Sequence, residues 1–124
     1  MKYLKKYESS KFSDIAIDIE SIFLELRDRN IKVDVRITSL YNAKFVPIKD
    51  DGVTVTIISP DKIKLSDIMY NYIYTSIDYA RANGIEFRAI RFDSSIRNMK
   101  DYFYEFMMGE EPDISFNRCW LSFR

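Results

Sequence analysis

Cys119 is the only thiol in this chain, and with no histidine among 124 residues there is no imidazole to take its proton. The thiolate is the reactive form of cysteine, so Cys119, beside Trp120 in a terminal strand, reads as a small buried apolar residue. The lack of histidine also removes the commonest metal ligand and the side chain best matched to proton transfer near neutral pH. Carboxylates remain. Asp50-Asp51 and Glu110-Glu111 are adjacent pairs in expected turns, without the alternating spacing of a calcium loop, and read as solvated surface. Glycine occurs only at Gly52, Gly84 and Gly109, too dispersed to cradle a phosphate. No catalytic residue, metal site or cofactor is expected.

Contact chemistry is better represented than bond-making chemistry. The chain holds nine tyrosines, and Tyr70 and Tyr74 lie four apart on an expected helix, away from its Met69, Ile73 and Ala80 stripe. Asp78 and Arg81 extend the same row, and Tyr102 and Tyr104 fall beside or opposite the stripe of a later helix. Exposed tyrosine offers a large contact area at low entropic cost and is enriched in interface hot spots. A second surface, Lys32, Arg36, Thr54 and Thr56 on the wet side of two strands, could meet phosphate. Lys plus Arg and Asp plus Glu number 19 each, so no global field draws the chain toward nucleic acid. Around Gly84-Ile85-Glu86-Phe87 the aromatics miss the alternate positions an RNA-stacking strand needs.

The elements that must position these residues follow from periodicity. Phe12, Ile15, Ala16, Ile19, Ile22, Phe23 and Leu26 repeat at three and four, predicting a helix over 12–29 with Ser13 as N-cap and Asn30 as left-handed terminator. Ile31, Val33, Val35 and Ile37 alternate with polar residues as in a half-buried strand. Residues 44–48 suggest a short edge strand containing Pro47, Asp51-Gly52 a turn, and Val53, Val55 and Ile57 another buried face. A second helix is predicted from Ser66, as N-cap, to Asn83, with Leu65, Met69, Tyr72, Ile73, Ser76 and Ala80 inward and Ile68 and Ile77 flanking. Strands follow at 85–92, where a parity flip after Ala89 suggests a bulge or burial of both faces at one end, and at 114–123, where parity also flips near Asn117, around a helix at 95–108.

This order predicts one α/β domain of the α+β kind over residues 1–124. It would be a two-layer sandwich of a mixed four- to five-stranded sheet with three helices mainly on one face. The strand–helix–strand unit over 53–92 should make its two strands parallel. The order resembles the core of the restriction-endonuclease-like nucleases, which implies an acid followed by acid-x-lysine on a strand. Here that strand is Val53-Thr54-Val55-Thr56-Ile57, while Pro60-Asp61 and Glu86-Phe87-Arg88 supply only fragments on other elements. A degenerate nuclease-like domain is the reading that remains on that side, and no metal-dependent hydrolysis is expected.

The opening Met1-Lys2-Tyr3-Leu4-Lys5-Lys6-Tyr7-Glu8-Ser9-Ser10 is similar to the Met-Lys-x-Leu-Lys-x-Phe-x-Glu-Ser start of many small proteins of large tailed bacteriophages. It also resembles leaders that direct internal proteins into phage heads. The resemblance implies a viral origin and transfers no functional residue. No apolar run approaches a membrane span, and a lone cysteine suits a reducing compartment. The expectation is a non-enzymatic protein-interaction module in host cytoplasm or virion, with a protein partner or a second copy and no membrane. The alternative is a nucleic-acid-associated protein using the wet sheet face and the basic N-terminal segment over residues 1–11.

Overall fold

A computed structural model describes residues 2–92 and 115–124, with side chains described from Phe12 onward. Helix α1 (Lys2–Ile22) leads into a 3-10 segment (Leu24–Arg29), then β1 (Lys32–Tyr41) and the long β2 (Pro47–Lys64). A continuous helical stretch follows as α2 (Leu65–Ile68), a π-helical segment (Met69–Tyr74) and α3 (Thr75–Ala82). Strands β3 (Phe87–Phe92) and β4 (Ser115–Phe123) complete the described fold. The predicted helix at 95–108, with Tyr102 and Tyr104, lies outside the described residues, as do Glu110-Glu111.

Among the described residues the sheet has four strands, in the order β1-β2-β4-β3. Its pairs are all antiparallel, which corrects the expected mixed sheet: β4 inserts between β2 and β3 and runs against both. β2 and β3 consequently point the same way, as their helical crossover requires, without touching as a pair.

One face of the sheet is built from rows that cross all four strands. Val33, Ile57, Cys119 and Phe92 are successive cross-strand partners, as are Val35, Val55, Leu121 and Ile90, and then Ile37, Val53, Phe123 and Phe87. Helices cover this face. Ile15, Ile19, Phe23 and Leu26 from the N-terminal helix and its 3-10 extension are buried in the same core as Leu65, Ile68, Met69, Ile73, Ile77 and Ala80. Every inward position predicted for the second helix is buried. Cys119 is fully buried among these apolar neighbours, the place its sequence context implied.

The local signals were partly reassigned. Ser13 lies inside α1 rather than capping it, because the helix continues back to Lys2. Ser66 sits within the first turn of α2, whose N-cap is Lys64. The two stop signals hold, for a definite reason. At Asn83-Gly84 the Ile85 amide donates to the Ala80 carbonyl (2.9 Å) and the Gly84 amide to Arg81 (3.1 Å), with Gly84 at φ 82°. Asn30, at φ 60°, closes the 3-10 segment in the same manner as Ile31 donates to Leu26 (3.1 Å).

Asp51-Gly52 is not a turn. Both residues belong to β2, and the β1–β2 reversal falls at Asn42–Phe45 instead. Gly52 is required by a close approach: a Cβ there would lie 2.3 Å from the Phe123 carbonyl oxygen. The two parity flips are bulges. Arg88 is the extra residue between Phe87 and Ala89 on β3. Opposite Asn117, β2 loops out between Ile58 and Ile63, and the Asn117 side-chain Nδ2 donates to the Ser59 (3.2 Å) and Pro60 (3.3 Å) carbonyls.

Candidate functional site

Alternation sends every second residue of the sheet away from the helices, and the register assembles them into a second set of rows. Arg36, Thr54, Ser122 and Ala89 form one; Asp34, Thr56, Trp120 and Arg91 the next; Lys32, Ile58 and Arg118 the third. All of these positions are exposed or half-buried. The sequence-predicted group Lys32, Arg36, Thr54 and Thr56 is thereby brought together on one surface.

The centre of that surface is a residue the sequence reading left aside. Trp120 lies on an inner strand, half-buried, with Thr56 on one flank and Arg91 on the other. The Arg118 guanidinium sits 5.7 Å from the centroid of its ring, within range of a cation–π contact. Beside it a depression of about 310 Å³ is lined by Thr54, Ala89, Arg91, Trp120 and Ser122. Arg36 is paired with Asp34 at 2.6 Å, the one carboxylate in these rows. Lys32, Arg36, Arg91 and Arg118 therefore outnumber acid there, although the whole chain is neutral. The bulge at Asn117 hid this arrangement, since it reverses which side chains of β4 face outward.

The tyrosine row stands on the helical layer. Tyr70 is 57% exposed and its ring meets that of Tyr74 at 5.5 Å between centroids. Tyr74 is half-buried against the core, and Asp78 and Arg81 are exposed further along α3. The π-helical segment beneath them widens the turn, and the Thr75 hydroxyl donates to the Tyr70 carbonyl five residues back (3.3 Å).

Two other tyrosines lock the helical layer together. Tyr72 stacks on Phe23 (6.0 Å between centroids, 22° between planes) and donates to Glu25 at 3.1 Å. Burial, then the Glu25 hydrogen bond, pushes its phenol pKa upward. Tyr79 donates to Asp18 of α1; burial and that carboxylate push its phenol up to about 12. These phenols stay neutral and serve as donors between helices.

No set of three or more Cys, Asp or Glu side chains able to hold a metal comes together among the described residues. Of the nuclease-like fragments, Asp61 is exposed on the β2 bulge and Glu86 is 3.5 Å from Arg88. No helix is long and apolar enough to cross a membrane among the described residues. Comparison with protein-family models, curated proteins and solved structures returns no match for this chain.

Proposed function

We propose that this protein is a non-enzymatic protein-interaction module whose main contact surface is the open face of the sheet. One observation carries the reading: Trp120 stands half-exposed at the middle of a face that no helix covers among the described residues, flanked by Arg91 and Arg118. Tryptophan and arginine are the side chains most enriched in interface hot spots, and small hydroxyl neighbours such as Thr54, Thr56 and Ser122 let a partner approach closely. The excess of base over acid among the described residues of this face favours a partner that presents carboxylates. Exposed Tyr70, with half-buried Tyr74 against its ring, is a second, smaller contact on the other layer.

The same cationic excess around an aromatic ring favours a second reading, single-stranded nucleic acid, in which a base would stack on Trp120. Capture from host lysate separates the two, with and without nuclease treatment, for the wild type and a Trp120→Ala/Arg118→Glu variant. Proteins retained after nuclease and lost with the variant support the protein reading. Nuclease-sensitive capture with a steep salt dependence supports the second. Capture unaffected by the variant overturns both.

A phage-encoded virion accessory component or host-factor-binding protein is the setting we propose, with host cytoplasm or the particle as its location. The opening ten residues support it, and a proteome of purified particles tests it.

A further inference from the structure

The β1–β2 hairpin ends in an apolar finger that the proposed function does not use. Phe45 is 86% exposed, Ile48 64%, Tyr41 59%, Val46 51% and Leu40 44%. Neighbours along a strand point to opposite faces, so Leu40 and Tyr41 make the finger apolar on both sides. A flat partner would cover one side only; a medium that surrounds the finger covers both.

The finger's charge has one sign. From Leu40 to Lys49 the chain carries Lys44 and Lys49 and no acid. The nearest carboxylates lie further down the hairpin and are engaged there: Ser39 donates to Asp50 (3.3 Å) and Thr38 to Asp51 (2.9 Å), which also meets Arg124 at 3.5 Å.

Its backbone is prepared for leaving water. The Asn42 amide donates to the Val46 carbonyl (3.0 Å) and the Phe45 amide to the Asn42 carbonyl (3.0 Å). The Asn42 side-chain oxygen accepts from the Lys44 (2.8 Å) and Val46 (3.1 Å) amides. Unpaired amides strongly oppose entry into an apolar phase, and the amides of Asn42, Lys44, Phe45 and Val46 are satisfied within the turn. Phe45 also occupies the left-handed region at φ 60°, a conformation that glycine or asparagine would adopt at lower cost. A bulky ring held there and left in solvent points to a use for the ring.

We infer that the Leu40–Ile48 finger inserts shallowly into the surface of an anionic phospholipid bilayer. Phe45, Val46 and Ile48 enter the acyl boundary, Tyr41 sits at headgroup level, and the Lys44 and Lys49 ammonium groups reach lipid phosphates. This is peripheral contact, independent of the sheet face.

The test is flotation of the full chain with vesicles of phosphatidylcholine alone and of phosphatidylcholine with phosphatidylserine. Binding is expected to the second kind and to fall with added salt. Phe45→Asn fits the left-handed position, so it keeps the fold, and should weaken vesicle binding about ten-fold. Lys44→Glu/Lys49→Glu should abolish the preference for phosphatidylserine, and Trp120→Ala should leave binding unchanged. In a Phe45→Trp/Trp120→Phe chain, vesicles should shift the indole emission to the blue. No binding of the wild type to phosphatidylserine vesicles overturns the inference. So does unchanged binding by folded Phe45→Asn, which would place vesicle contact on another surface.

Discussion

Phe45 and Gly52 set opposite constraints on the same hairpin. Phe45 is a side chain where the backbone favours none, at φ 60°, so Phe45→Asn should raise stability by about 0.5–1 kcal/mol, read as a higher denaturant midpoint. Gly52 is the absence of a side chain where the Phe123 carbonyl leaves no room, so Gly52→Ala should lower stability by about 1–3 kcal/mol. The Asp51-Gly52 pair carries a strong turn signal in sequence, yet glycine serves a close approach between strands distant along the chain. That purpose cannot be read locally. Tyr79 makes a further prediction at this scale. Its phenol is held neutral up to about 12, chiefly by burial and then by its hydrogen bond to Asp18, whereas an unfolded tyrosine ionises near about 10. Between these values the unfolded state has lost a proton that the native state keeps. The stabilisation is complete below about pH 10 and disappears as pH rises toward about 12. Alkaline unfolding of Tyr79→Phe should accordingly show a shallower pH dependence than wild type.

At the scale of elements, the first helix depends on burial more than on propensity, because its isoleucines are mediocre helix formers. Ile19 and Phe23 are completely buried, and each replacement by alanine should cost about 2–5 kcal/mol. Unchanged denaturant midpoints would remove this helix from the core. Its stripe was legible because burial repeats at the helical period, and the same holds for the inward set of 65–82. The π-helical segment was not legible. Met69, Tyr72 and Ile73, followed by Ser76 and Ile77, fit an α-helix as well, so widening the turn leaves no mark on the apolar pattern. Sheet pairing was also hidden. That β4 enters between β2 and β3 is a non-local choice, and the Asn117 bulge reverses the facing of its own strand. Lys32, Arg36, Thr54 and Thr56 could thus be gathered from alternation alone, while Trp120, Arg118 and Arg91 could not.

At the scale of the whole molecule, the described residues form a two-layer α+β fold with asymmetric surfaces: a helical layer braced by Tyr72 and Tyr79, and a sheet face, centred on Trp120, that no described helix covers. Placing the partner on that face is the central claim, and photocrosslinking reads it most directly. A photoreactive phenylalanine analogue would replace Arg118 or Ser122 on the open face, or Asp78 on the helical layer, one position at a time. After irradiation in nuclease-treated host lysate, adducts are mapped by mass spectrometry. The account predicts a shared protein adduct from positions 118 and 122 that Trp120→Ala removes, with none from position 78. Adducts from position 78 alone, or face adducts that persist in folded Trp120→Ala, would contradict it.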